Sequence, residues 1–198
     1  MQELDVYQLP HFLKCISCRP ENFKKKAMLN RIKTIALFFA IAIIVTSTSC
    51  LNSDKEPPRT PEMEQEELNA ALQQLIDEGN DIDTTELGVY YIVQEEGTGP
   101  NPQAGDTISL EYTGFLLDGT IFDASAYHYE DAIWKFVYKE IPLIPGFDEG
   151  IAMLSVGAEI DLIIPSYLAY GVYGNGAIGP YETLFFATKL HALNPKVE

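Results

Sequence analysis

The chain has 198 residues, a formal net charge of −16 at pH 7 and three cysteines, and this length suits one ordinary domain with appendages. Because 26 acidic but only six basic residues follow Cys50, this part of the chain repels phosphate backbones, which excludes nucleic acid as a partner. It also has no further cysteine and cannot form an internal disulfide. Cys15 and Cys18 have CxxC spacing without a second pair, and the three histidines are scattered, so we expect no metal site and no cofactor.

Residues 1–49 are interpreted as an upstream extension followed by a secretory signal peptide. Two basic residues, Arg31 and Lys33, precede an uncharged apolar stretch at 35–45, and small residues then lead to Cys50. This order of charge, apolar core and small residues is typical of export signals. The stretch is too short to span a bilayer, which takes about 20 helical residues. A stable N-terminal anchor helix is the alternative interpretation.

The position of Cys50 resembles that of the lipidated cysteine in a bacterial lipobox, although Ser47 stands where an aliphatic residue is usual. The resemblance implies that Cys50 is acylated and forms the mature N-terminus of an exported lipoprotein of the cell envelope. Two acyl chains give stable membrane anchoring, whereas one is marginal. The folded domain would then lie in the periplasm or at the cell surface. Residues 1–27 would be an overextended reading frame or a long n-region, with Met28 as the expected start.

A tether and a helix are predicted next. Residues 50–61 are polar and contain three prolines, which predicts a flexible tether. An amphipathic helix is predicted over residues 62–79, with Thr60 as N-cap, Pro61 at the first helical position and Gly79 as the stop. Its apolar stripe consists of Leu68, Leu72, Leu75 and Ile76. This stripe would either pack on the chain's own domain or form a homodimer through residues 62–78.

The pattern of residues 86–194 predicts an α+β domain, because alternating segments typical of strands surround a single short helical segment. The predicted strands are 89–93, 106–113, 120–123, 134–138, 158–164 and 183–193, and the predicted helix is 147–154. Asp118 and Gly119 predict a tight hairpin turn. In strand 158–164, the residues Ile160, Leu162 and Ile164 should face the core, whereas Glu159 and Asp161 should face outward.

Five segments of this region resemble, in order and near their usual spacing, the motifs of FKBP-type peptidyl-prolyl cis/trans isomerases. They are EYTGFLLDGTIFDAS at 111–125, IPGFDEG at 144–150, MLSVG at 153–157, IPSYLAYG at 164–171 and TLFF at 183–186. The resemblance implies the FKBP-like fold, a twisted antiparallel β-sheet wrapped around one short α-helix.

The resemblance further implies an active site in an apolar bowl between the sheet and the short helix. The implied catalytic residues are Tyr112, Phe122, Asp123, Tyr170 and Phe186, with Asp123 at the rim. The implied substrate-binding residues are Trp134, Leu143, Ile144, Phe147 and Ile178. Phe147 stands where the family commonly carries Trp. His128 is the only residue between the Asp123 motif and Trp134 that could serve as the basic partner of Asp123.

The implied activity is isomerisation of prolyl peptide bonds in exported proteins, with proline-containing polypeptides as substrates and macrolides as inhibitors. Rotation about an X–Pro bond must overcome a barrier of about 18–20 kcal/mol, which comes from the loss of amide resonance. Because the twisted amide is less polar than the planar one, an apolar aromatic site would favour the transition state. Two alternatives remain: an FKBP-fold binding or chaperone module with little turnover, and a structural envelope lipoprotein that assembles through its acidic helix.

Overall fold

The computed structural model describes residues 58–196, so the predictions for the signal peptide, Cys50 and tether residues 50–57 lie outside the described residues. Within this range, helix α1 spans Pro61–Asp77 and helix α2 spans Pro145–Met153. No helix in the same range is both long enough and apolar enough to cross a membrane. The strands there are β1 Asp83–Thr84, β2 Tyr90–Glu95, β3 Thr107–Leu116, β4 Ile121–Ala124, β5 Trp134–Val137, β6 Glu159–Ile164 and β7 Leu184–Asn194.

These strands form one antiparallel sheet, which confirms the predicted α+β architecture. The spatial order is β1-β2-β6-β7-β3-β4, with β5 also paired to β3. Strand β3 pairs over its whole length with β7. Its other edge pairs first with β5, through residues 107–110, and then with β4, through residues 113–115. The centre of β3, where Tyr112 lies, therefore falls between two short edge strands.

The main hydrophobic core lies between one face of the sheet and α2. Its fully buried members include Ile108, Leu110, Ile151, Leu154, Leu162 and Ile164. Two glycines of α2 allow a close approach to β6. A Cβ atom at Gly146 would lie 2.3 Å from Ile164 Cγ2, and one at Gly150 would lie 2.2 Å from Leu162 Cδ1. Glycine at these positions brings the first turn of α2, which carries Phe147, directly onto the sheet.

The other face of β6 is also buried, which corrects the prediction that Asp161 faces solvent. Alternate residues of β6 enter the core as predicted, but Asp161 is only 7% exposed. Ile163, on the same face, pairs with Phe185 of β7, and both are 1% exposed. Gln94 Nε2 donates a 2.8 Å hydrogen bond to Asp161 Oδ2. Burial nevertheless raises the pKa of the Asp161 carboxyl to about 6.

The predicted helix over residues 62–79 is present as α1, with the predicted caps. Thr60 precedes the helix in extended conformation, and its Oγ1 accepts a 3.4 Å hydrogen bond from the Met63 N–H. Pro61 occupies the first turn, where its missing N–H costs nothing. Gly79 follows the helix with a φ of +90°, a conformation that favours glycine.

The apolar stripe of α1 is buried within its own chain. Leu68 and Leu75 are 3% and 2% exposed, whereas Ile76 is 53% exposed. Ile76 therefore does not pack on the chain's own domain with the other residues of the predicted stripe. Ile76 lies about 100° around the helix from Leu75, which is enough to turn it toward solvent when the buried stripe is narrow. Glu64, one turn before Leu68, is also buried at 8% exposed.

Candidate active site

An open cavity of about 400 Å³ lies where α2, the sheet and two loops meet. Its lining is mainly aromatic and aliphatic, with one carboxylate. The lining residues are Tyr112, Phe122, Asp123, Trp134, Pro142, Leu143, Ile144, Pro145, Phe147, Tyr170 and Phe186. The volume falls in the usual range for small-molecule sites, about 300–1,000 Å³.

Nine of the ten site residues expected from the sequence line this cavity, and Ile178 does not. Ile178 is 7% exposed and belongs to the buried core. Its N–H donates to the Asn175 carbonyl and its carbonyl accepts from the Asn175 N–H, which ties the loop backbone together. Pro142 and Pro145 line the cavity without having been expected. The sequence could have indicated both prolines, because they flank the expected residues Leu143 and Ile144 and because proline fixes the local backbone.

The floor and wall of the cavity are a network of aromatic rings. The centroids of Phe147 and Phe186 lie 4.6 Å apart, and Phe122 meets Phe186 edge to face at 5.4 Å. Tyr112 makes edge contacts with Trp134 at 5.7 Å and with Phe147 at 5.8 Å. Offset and edge contacts of this kind are favourable and hold the rings in place. The cavity is therefore lined by rings that already pack against one another before a ligand enters.

Gly114 of β3 makes this ring arrangement possible. Gly114 pairs with Asp123 on one side and with Phe186 on the other. A Cβ atom at this position would lie 2.5 Å from Phe122 Cζ and 3.0 Å from Phe186 Cε1. The absent side chain leaves the space in which these two rings meet. Phe122 can therefore reach across the strand to the floor of the cavity.

Ser125 supports Tyr112 at the point where β3 passes between its two short edge strands. The Tyr112 N–H donates to Ser125 Oγ at 3.1 Å, and the Ser125 hydroxyl donates to the Tyr112 carbonyl at 3.2 Å. Ser125 is 1% exposed. One buried hydroxyl thus satisfies both backbone groups of Tyr112 that face this edge. This fixes the backbone from which the Tyr112 ring enters the cavity.

The carboxylate of Asp123 at the rim has three hydrogen-bond partners. The Tyr112 hydroxyl donates to Oδ2 at 2.8 Å, and the Ala124 N–H donates to Oδ1 at 2.9 Å. His128 Nε2 lies 2.7 Å from Oδ1, so the structure pairs Asp123 with the histidine that the sequence offered. Burial and the neighbouring carboxylate raise the pKa of Tyr112 well above its ordinary value. Tyr112 is thus held as a protonated donor.

The loop between β6 and β7, residues 165–183, supplies Tyr170 to the cavity. Two short 3-10 turns, Ser166–Leu168 and Gly171–Tyr173, precede and follow this residue. The Gly171 carbonyl accepts a 2.9 Å hydrogen bond from the Tyr181 N–H. The loop is therefore folded back on itself.

The chemistry available at this site is binding and positioning, with the carboxylate of Asp123 and the hydroxyls of Tyr112 and Tyr170 as polar groups. Among residues 58–196, no three His, Cys, Asp or Glu side chains lie together as a metal site. The cavity can surround an apolar ring and strip water from it. Such a site suits a conformational reaction that needs no nucleophile.

Comparison with known proteins supports this description. A family model for FKBP-type peptidyl-prolyl cis-trans isomerases matches residues 99–191. The FKBP-type isomerase FkpA of Aeromonas hydrophila is 39% identical over 112 residues, which cover 57% of this chain and 40% of FkpA. FK506-binding protein 2 of Yarrowia lipolytica is 37% identical over 110 residues, which cover 55% of this chain and 75% of that protein.

A solved structure shows the same fold. FkpA from Escherichia coli superposes with a TM-score of 0.58 at 32% identity, covering 68% of this chain and 60% of that chain. The chain spans 40%, 45% and 52% of the length of the first curated relatives it matches. All eleven cavity-lining residues lie within the range 99–191 that the family model matches. The chain belongs to the FKBP-type peptidyl-prolyl cis-trans isomerase family.

Proposed function

We propose that the domain at residues 86–194 catalyses cis/trans isomerisation of X–Pro bonds in polypeptides. The observation that carries this proposal is the convergence of nine expected side chains on one open aromatic cavity of about 400 Å³. A proline ring and the residue before it fit the dimensions of a small-molecule site. Proline-containing polypeptides are the proposed substrates, and macrolides that present a similar apolar ring are proposed inhibitors. No cofactor takes part in the proposed reaction.

The proposed mechanism relies on the low polarity of the cavity. The planar amide is polar because resonance separates charge between its oxygen and its nitrogen. Twisting the bond removes that resonance and the charge separation with it. The twisted transition state therefore loses less hydration free energy than the planar ground state when each moves from water into the cavity. An aromatic cavity therefore binds the twisted amide more favourably than the planar one, which lowers the barrier. Lowering it by about 8 kcal/mol corresponds to an acceleration of about a million-fold.

Individual roles follow from position. The proline ring would pack on the floor made by Phe147 and Phe186, against the wall provided by Trp134. The Ile144 N–H would hold the substrate backbone at the start of α2. The Tyr170 hydroxyl would orient the displaced carbonyl, since hydroxyl donors placed where the carbonyl rotates favour the transition state. Asp123, fixed by Tyr112, would set the local field at the rim.

An assay of proline-limited protein refolding tests the proposal against the binding-module alternative. Trp134 is the single tryptophan of the chain and lines the cavity, so its fluorescence reports occupancy independently of turnover. An isomerase both accelerates refolding and responds to a proline peptide through Trp134. A fluorescence change without acceleration would establish the alternative, an FKBP-fold chaperone or binding module with little turnover.

The proposed location is the bacterial cell envelope, with a lipid anchor at Cys50 that holds the domain to the membrane. The support is the sequence order of basic residues, an apolar stretch and small residues before Cys50. Mass spectrometry of the N-terminus of the protein isolated from membranes tests this directly. A diacylated peptide beginning at Cys50 is expected. An unmodified N-terminus upstream of Cys50 would overturn the anchor.

A homodimer through residues 62–78 is a separate proposal. Because Leu68 and Leu75 are buried in their own chain, a dimer would use an exposed flank of the helix, where Ile76 is 53% exposed. Light scattering of the wild type and of Ile76→Lys tests it. A dimer that Ile76→Lys dissociates is the expected result. A wild-type protein that scatters as a monomer at every concentration would rule it out.

A further inference from the structure

The loop that carries Tyr170 is closed at its base by a side chain from outside the family's matched region. Residue 165 follows the end of β6, and residue 183 precedes β7; these strand ends are paired through Ile164 and Leu184. The two ends of the loop therefore lie side by side. Glu64 of α1 binds both of them, although the family match begins only at residue 99.

The Glu64 carboxylate accepts three hydrogen bonds from the loop ends. The Ser166 N–H donates to Oε1 at 2.6 Å, and the Ser166 hydroxyl donates to Oε2 at 2.6 Å. The Thr183 hydroxyl donates to Oε1 at 2.9 Å. All three residues are nearly inaccessible, with Glu64 at 8%, Ser166 at 3% and Thr183 at 1% exposed. A carboxylate removed from water is tolerated only with such donors, so each partner fixes the others.

Arg59, which precedes the N-cap residue Thr60 of α1, adds a second point of attachment. Its Nη2 donates to the Tyr181 carbonyl at 3.1 Å, and its Nε lies 3.3 Å from Glu182 Oε1. Tyr181 has a φ of +53°, a left-handed conformation that is unfavourable for a tyrosine. Such a conformation persists only where its surroundings hold it. Arg59 binds the Tyr181 carbonyl. The Tyr181 N–H in turn donates to the carbonyl of Gly171, the residue after Tyr170.

We propose that Arg59 and Glu64 position the Tyr170 loop at the cavity through their contacts with residues 166 and 181–183. This set of contacts is called the Arg59–Glu64 clamp. The proposal deepens the proposed isomerase function and rests on it. Glu64 is then a positioning residue, since it touches no cavity wall and acts through Ser166 and Thr183. An element outside the matched family region would thereby set the efficiency of the site.

The test compares Glu64→Ala with Glu66→Ala in the full chain. Glu66 is an exposed glutamate of the same helix, so the control changes charge and helix propensity equally. Hydrogen exchange should become faster at the Ser166 amide and across residues 166–183 in Glu64→Ala, with β3 and β7 unchanged. The kcat/KM for a proline tetrapeptide should fall about ten-fold, because displacing a group that positions the substrate, here Tyr170, lowers the rate by this factor or more. Glu66→Ala should match the wild type in both measurements.

Three further variants keep the test decisive if Glu64→Ala does not fold. Glu64→Gln retains a carbonyl acceptor and should recover most of the exchange protection and activity. Thr183→Val removes one donor at equal volume and should reproduce part of the loss, whereas Thr183→Ser should not. Exchange that rises uniformly over the whole domain, or a kcat/KM unchanged in folded Glu64→Ala or Thr183→Val, overturns the clamp. Wild-type protein without isomerase activity would instead refute the proposed function. The clamp would still be tested in that case, by hydrogen exchange and by the peptide affinity that Trp134 fluorescence reports.

Discussion

The Tyr112 hydroxyl donates a 2.8 Å hydrogen bond to Asp123 Oδ2, while the Tyr112 ring contacts Phe147 at the floor of the cavity. One side chain thus joins the aromatic floor to the charged rim. Removing the carboxylate should therefore disturb the floor as well as the rim, and this distinguishes Asp123 from an ordinary surface aspartate.

We expect Asp123→Ala to lower kcat/KM for a proline tetrapeptide about ten-fold, because the released Tyr112 ring leaves its position. It should also lower the free energy of unfolding by about 1–2 kcal/mol, since a partly buried hydroxyl loses its acceptor. Peptide kinetics and urea denaturation measure both effects.

His128→Ala serves as the control for Asp123→Ala. The side chains of His128 and Asp123 are 53% and 38% exposed, and exposed ion pairs contribute about 0–1 kcal/mol. We therefore expect little change in activity or stability. A His128→Ala variant as damaged as Asp123→Ala would show that the imidazole, and not the Tyr112 hydroxyl, is the essential partner.

Gly114→Ala should disrupt the contact between Phe122 and Phe186. The added methyl group would lie 2.5 Å from Phe122 Cζ, and overpacking of this kind costs about 1–3 kcal/mol. We expect a lower unfolding midpoint together with weaker peptide binding by Trp134 fluorescence. Gly179→Ala is the matched control, because the nearest atom to its added Cβ would be 3.4 Å away. Equal effects of the two substitutions would contradict the proposed role of Gly114.

Asp161→Asn should stabilise the protein at neutral pH but not in acid. Burial raises the folded-state pKa of Asp161 to about 6, above the value of about 3.9 for an unfolded chain. The folded state therefore binds the Asp161 proton more tightly than the unfolded state does. The stabilisation that the protonated carboxyl contributes is fully present below about pH 4 and is lost as the pH rises through 6. The asparagine never ionises and still offers an acceptor to Gln94.

Urea denaturation at several pH values measures this effect. The free energy of unfolding of Asp161→Asn should exceed that of the wild type by about 2–3 kcal/mol at pH 7.5, and the difference should vanish near pH 4. Asp83→Asn, at an exposed position on β1, should show no such trend. A difference that does not change with pH would mean that Asp161 does not titrate as a buried carboxyl.

The sequence was sufficient where local pattern decides structure. Alternation placed Ile160, Leu162 and Ile164 on the inner face of β6, and Thr60 with Gly79 marked the ends of α1. The cavity residues could be assigned because the family's motifs place them at fixed intervals. These features depend on spacing along the chain, which a single sequence contains.

Features that depend on contacts between distant segments could not be predicted. Asp161 looked like a solvent-facing residue because nothing in strand 158–164 reveals that its second face is covered. The sequence shows Glu64 only as an acidic residue near a helix N-terminus, and its partners Ser166 and Thr183 lie more than 100 positions away. The position of Ile178 depends on how the loop folds back, and spacing does not specify this.

The most direct test of the central claim is the cis/trans exchange rate of a proline tetrapeptide, measured by exchange NMR with catalytic amounts of protein. Leu143 lines the cavity and is partly exposed, so Leu143→Asn changes polarity at nearly constant shape while Leu143→Met keeps the site apolar. We predict exchange far faster than the spontaneous process, which takes tens to hundreds of seconds. Leu143→Met should stay near the wild type, and Leu143→Asn should be slower by about ten-fold, as expected if polarity contributes about 1.4 kcal/mol. Exchange at the spontaneous rate with wild-type protein, or equal rates for the two variants, would contradict an apolar cavity that favours the twisted amide.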